Sequence, residues 1–115
     1  MFKRVALFAT VYALVAATPA LAAPDGKALY ASRCAACHQA TGKGVKGAFP
    51  ALAGSALVLG DPAPLAKLTL KGQKSMPGFA SLSDDQLAAI LTYSRGSWGN
   101  AAKPVSPSQI AAARK

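Results

Sequence analysis

The chain has 115 residues, 52% of them apolar, and its 13 Lys and Arg outnumber 4 acidic residues to give a formal net charge of +9. That length holds one domain, and 2 cysteines are too few for the disulfide framework of a small secreted scaffold. The basic surface favours acidic partners or anionic membranes, while the lack of a basic helix or binding motif argues against nucleic acid.

Residues 1–22 read as a cleaved secretory signal. Lys3 and Arg4 make its positive start, Val5 to Ala17 its apolar stretch, and Thr18 to Ala23 its small-residue end. Cleavage after Ala22 sets Ala20 and Ala22 at the specificity positions, whereas cleavage after Ala23 would put Pro24 at the cut bond. The competing reading is an uncleaved membrane anchor, but a spanning helix needs roughly 20 apolar residues, more than Val5 to Ala17 supplies. The expected location is therefore periplasmic. The rest of the chain is small enough that its apolar side chains alone make a marginal core, which points to a staple or a cofactor.

A first helix is expected from Pro24, Asp25 and Gly26 toward Cys34. Gln39 to Gly60 then reads as loop, rich in Gly and closed by Pro50 and Gly54 among others. A second helix should run from Pro62 or Ala63 to Leu70 and stop at Gly72. The clearest signal is at Ser83, which can form a capping box with Gln86, with Asp84 and Asp85 at the positive end of the dipole. Leu87, Ile90 and Leu91 give that helix an apolar stripe up to Ser94 or Arg95, before Gly96. After Trp98 the chain should loosen, with Ser106 and Pro107 capping a short, frayed helix through Ala112. The expected architecture is all-α, with a functional domain over 23–100 and a helical C-terminal extension over 101–115.

Cys34, Ala35, Ala36, Cys37 and His38 spell CxxCH, the attachment signature of c-type haem. Residues three apart share a helix face, so both thiols can reach the two vinyl groups on one porphyrin edge, and the adjacent imidazole can ligate iron. Two other readings use the same residues. Structural zinc wants four Cys or His ligands and the chain offers three, two of them neighbours. A thioredoxin-like pair belongs in an alternating strand and helix pattern that is absent here. For the sixth iron position, His38 is the sole histidine, and Met76 is the sole methionine left once Met1 departs. It sits on a loop between two expected helices, and Pro77 restricts its backbone, which suits rigid presentation of a sulfur. A His and Met pair makes a high-potential centre.

These features resemble class I c-type cytochromes: CxxCH near the amino end, Met76 and Pro77 in the second half, and a closing helix with Tyr93. The resemblance covers Asp25 to Trp98. It implies the class I cytochrome c fold around one covalent haem c. It also implies a crossing of the first and last helices in which Gly26 lets the backbones approach and Tyr30 and Tyr93 pack the core. By the same resemblance, the Pro50 carbonyl would meet the free nitrogen of the haem histidine, and Trp98 would either donate to a haem propionate or complete the core. The run from Met76, Pro77, Gly78 and Phe79 to Ser97, Trp98, Gly99 and Asn100 is similar to the haem domains of membrane-bound alcohol and gluconate dehydrogenase cytochrome subunits. Those carry three haem motifs where this chain carries one.

The expected function is that of a one-electron carrier, a non-enzyme, shuttling between periplasmic or membrane redox proteins as a monomer. Lys43, Lys46, Lys71 and Lys74 would flank the haem edge and meet acidic docking surfaces, with Ala48, Phe49, Phe79 and Ala80 as apolar contacts. The alternatives are a fixed electron-transfer subunit of a dehydrogenase or oxidase complex, and a ligand sensor or enzyme with a dissociable Met76.

Overall fold

The computed structural model describes residues 5–13 and 23–115. Most of the expected leader, and the cut after Ala22, lie outside the described residues. The part of it within them, 5–13, has no regular structure, and Leu7 and Phe8 there stand 92% and 91% exposed.

Six helices follow: α1 Gly26–Arg33, α2 Ala35–His38, α3 Ala56–Leu59, α4 Pro62–Lys71, α5 Asp84–Gly96 and α6 Pro107–Ala113. Their starts follow side-chain chemistry. Asp25, Ser55, Asp61, Ser83 and Ser106 each accept a backbone N–H of the first turn, satisfying donors that a helix leaves orphaned. Ser83 with Gln86, and Ser106 with Gln109, complete reciprocal capping boxes. No strand occurs among the described residues; isolated bridges pair Val45 with Phe49 and Gln73 with Met76.

Two expectations are corrected. The stretch Gln39 to Gly60 is not loop throughout, because Ser55 caps α3, whose Val58 is 1% exposed. Nor does the closing helix fray: α6 packs on α4 and α5, with Ile110 fully buried, and Arg114 beyond it donates to Asp84 Oδ1 at 2.7 Å and to the Ala80 and Leu82 carbonyls.

The core joins Val58, Leu65 and Leu70 to Leu87, Ile90, Leu91, Val105 and Ile110. On its flank α1 crosses α5 closely enough that a Cβ at Gly26 would overlap the Ala89 carbonyl, so only glycine allows that approach. Tyr30 and Tyr93 meet at this crossing with ring centroids 5.4 Å apart, and Trp98 stacks obliquely on Tyr30 at 5.0 Å.

Candidate functional site

Between this core and the loop before α3 lies a largely apolar cavity of about 800 Å3, within the range of roughly 300–1,000 Å3 typical of small-molecule and cofactor sites. Leu52, Val58, Leu65, Leu68, Ile90 and Leu91 give it apolar walls, and Cys34, Cys37, His38, Pro50 and Met76 all line it. The structure thus brings together five of the six residues singled out in the sequence.

Helix α2 is a single turn. His38 N–H donates to the Cys34 carbonyl at 2.9 Å, which places both cysteines and the histidine along one wall, and Gln39 turns the chain away with φ 67°. The cysteines are free and half-buried. Burial pushes the Cys34 thiol up to about 11, and the charge of nearby Arg33 opposes this only in part. The thioredoxin reading lacks the alternating strand and helix pattern it needs, for no strand occurs among the described residues. No cluster of three or more His, Cys, Asp or Glu that could hold a metal ion is found among the described residues.

His38 is 8% exposed and its Nδ1 lies 2.8 Å from the Pro50 carbonyl oxygen. A carbonyl only accepts, so Nδ1 carries the proton and Nε2 keeps its lone pair free for a metal. Met76 is presented by a tight turn: Gln73 N–H donates to the Met76 carbonyl at 3.1 Å and Met76 N–H returns to Gln73 at 2.9 Å, while Phe79 N–H anchors the following residues to Thr69 at 3.0 Å. A flat, mostly apolar macrocycle with a central metal fits this site: apolar walls, two free thiols beside one imidazole nitrogen, and a thioether on the same cavity.

Trp98 is the exception. Its indole N–H donates to the Ala40 carbonyl at 2.8 Å and its ring covers Gly42, where a Cβ would overlap it; it does not line the cavity. In this structure its donor is taken by that backbone carbonyl, and its ring packs on Tyr30 and Tyr93. The expected ring of lysines also divides. Lys43, Lys46 and Lys74 line the cavity mouth with Ala48, Phe49 and Phe79, whereas Lys71 and Ala80 open on a separate concavity with Lys67, Arg114 and Lys115. Of the buried polar residues that went unassigned in the sequence, two reach across the fold. Arg95, 4% exposed, donates to the Val58, Gly60 and Lys103 carbonyls, and Asn100, 7% exposed, bridges α5 to the loop before α3.

Fold and site together define a small helical protein built around a covalently held haem. Residues 21–93 match the family model described as cytochrome c oxidase, cbb3-type, subunit III. The chain is 36% identical to cytochrome c-552 of Thermus thermophilus over 73% of its own length and 67% of that protein. It is also 37% identical to the alcohol dehydrogenase (quinone) cytochrome c subunit of Gluconobacter oxydans and 33% identical to the gluconate 2-dehydrogenase cytochrome c subunit of Pantoea cypripedii, spanning 18% and 24% of those longer proteins and 65% and 78% of itself. The chain belongs to the cytochrome c family, with covalently bound haem c and a function in electron transfer. Among the described residues no helix is long and apolar enough to cross a membrane.

Proposed function

We propose that this is an exported, monomeric, periplasmic one-electron carrier and not an enzyme, with haem attached at Cys34 and Cys37 and iron ligated by His38 and Met76. The observation that carries the reading is the bond between His38 Nδ1 and the Pro50 carbonyl, which leaves Nε2 as the imidazole nitrogen free to ligate iron on a cavity that Met76 also lines. When bound, haem supplies a reversible ferric–ferrous couple. The chain's part would be to hold that group, with His38 Nε2 and the Met76 sulfur available to its iron, and to exclude water with Val58, Leu65, Ile90 and Leu91. Tying Nδ1 to a carbonyl orients the ring and raises its basicity, favouring the ferric state; thioether ligation opposes this and raises the potential. Filled axial positions leave no place for oxygen or peroxide, which supports a carrier over a catalyst.

Visible spectra of the exported protein, oxidised and reduced, test this. A low-spin haem spectrum is expected with the weak charge-transfer band of methionine on ferric iron, and Met76→Ala should abolish the band, lower the potential and let the ferrous protein bind carbon monoxide. A colourless protein from a haem-attaching host would overturn the site, and an unchanged band in Met76→Ala would overturn the distal ligand. Because several relatives are named as dehydrogenase subunits, a fixed place in such a complex is the second reading; co-purification that survives moderate salt would establish it over the diffusing carrier.

A further inference from the structure

The loop that supplies Pro50 is tied within itself by Val45 and Phe49, each donating its N–H to the other's carbonyl at 2.9 and 2.8 Å, and to His38 by Gly44 N–H at 2.9 Å. Its hydrogen-bonded base is the Gly42 carbonyl, which accepts from Leu52 N–H at 2.7 Å and Ala53 N–H at 2.9 Å, and Pro50 itself is exposed. What grips the base from outside is the turn after α5. Trp98 bonds Ala40 and covers Gly42. Asn100 Oδ1 accepts Gly54 N–H at 2.8 Å, while its Nδ2 donates to the Leu52 carbonyl at 3.1 Å and to the Ser94 carbonyl at 2.9 Å. Both ends of the segment carrying Pro50 are therefore clamped by one turn. That turn is itself held in unfavourable backbone geometry, Trp98 having φ 57°, a region costly for a bulky side chain and retained only where surrounding contacts enforce it.

We propose that Asn100 is a positioning residue for the haem histidine. By fixing Leu52 and Gly54 to α5 it holds the Pro50 carbonyl against His38 Nδ1, and so sets the basicity of the axial imidazole and the reduction potential. The proposal rests on the reading of His38 as an iron ligand. Asn100 never touches the cavity; it acts through the loop, and removing its amide leaves the Gly54 N–H and the Leu52 and Ser94 carbonyls without this partner.

The test compares holoprotein carrying Asn100→Ala and Asn100→Ser with Ile110→Ala, a core variant on α6 remote from the loop. Two readouts are taken: the reduction potential, and the hydrogen exchange of His38 Nδ1–H followed by NMR in the reduced state. A looser bond to Pro50 makes the imidazole less basic and destabilises the ferric state. Both Asn100 variants should therefore show a higher potential, with exchange faster by roughly two- to tenfold, the factor expected for loss of about one net hydrogen bond. Ile110→Ala should melt earlier yet keep the wild-type potential and exchange rate. Wild-type values in the Asn100 variants, or an equal shift in Ile110→Ala, would overturn the proposal by making Asn100 a mere stability residue. His38→Ala separates the two readings: an unaltered low-spin spectrum there overturns the ligand assignment, whatever Asn100 does.

Discussion

The residues proposed to hold the haem and its iron stand out in the sequence because their signal is local. CxxCH is one helical turn, and Met76 stands out by elimination and by the Pro77 that follows it. Arg95 and Asn100 were not legible in the same way, since their partners lie as far away as Val58 and Leu52, and a polar residue near a helix end reads first as a dipole partner or a cap. Gly26 shows how much one atom matters. Gly26→Ala would drive a methyl into the Ala89 carbonyl, and overpacking of that kind costs about 1–3 kcal/mol; thermal unfolding of the variant should register it with the haem spectrum largely kept. Tyr30 gives a pH signature. Its hydroxyl donates to the Gln39 carbonyl, and burial, the largest cause, pushes it up to about 12. A phenol with a raised folded-state pKa keeps its proton longer folded than unfolded, so its contribution is complete below the ordinary value near 10 and is lost as pH climbs toward 12. Denaturant midpoints should fall through that window in the wild type and fall less in Tyr30→Phe.

Helices α1, α4 and α5 could be read from caps and stops because each boundary has its own side-chain chemistry. The boundary of α3 had the same kind of signal in Ser55, but four residues give no hydrophobic period to confirm it. The docking of α6 was invisible for a different reason: a short helix has marginal stability alone, and only tertiary burial of Ile110 and the reach of Arg114 to α5 decide whether it frays. Ile110→Ala should therefore cost about 2–5 kcal/mol, read from denaturant unfolding. Ser83→Ala, which removes the cap of α5 and half of its capping box, should cost about 1 kcal/mol.

Over the whole molecule, charge was legible in amount but not in placement. Three of the four lysines expected at the cavity mouth are there, and Lys71 belongs to the other concavity. Reversing Lys43 and Lys46 to Glu should slow electron transfer to an acidic redox partner at low salt and flatten its ionic-strength dependence, while reversing Lys67 and Lys71 should change neither. Stopped-flow traces across a salt series would separate the two faces.

The crossing of α1 over α5 also fixes an order of events in time. The seat for Gly26 is the backbone around Ala89, so α1 has nothing to dock against until nearly the whole chain is present, and closing so long a loop is slow relative to forming a single helical turn. In a chain delivered amino end first, Cys34 and Cys37 emerge early and remain uncovered while α5 is still to come. The two thiols stay half-buried in the finished fold, so what the late arrival of α5 completes is the cavity wall at Ile90 and Leu91.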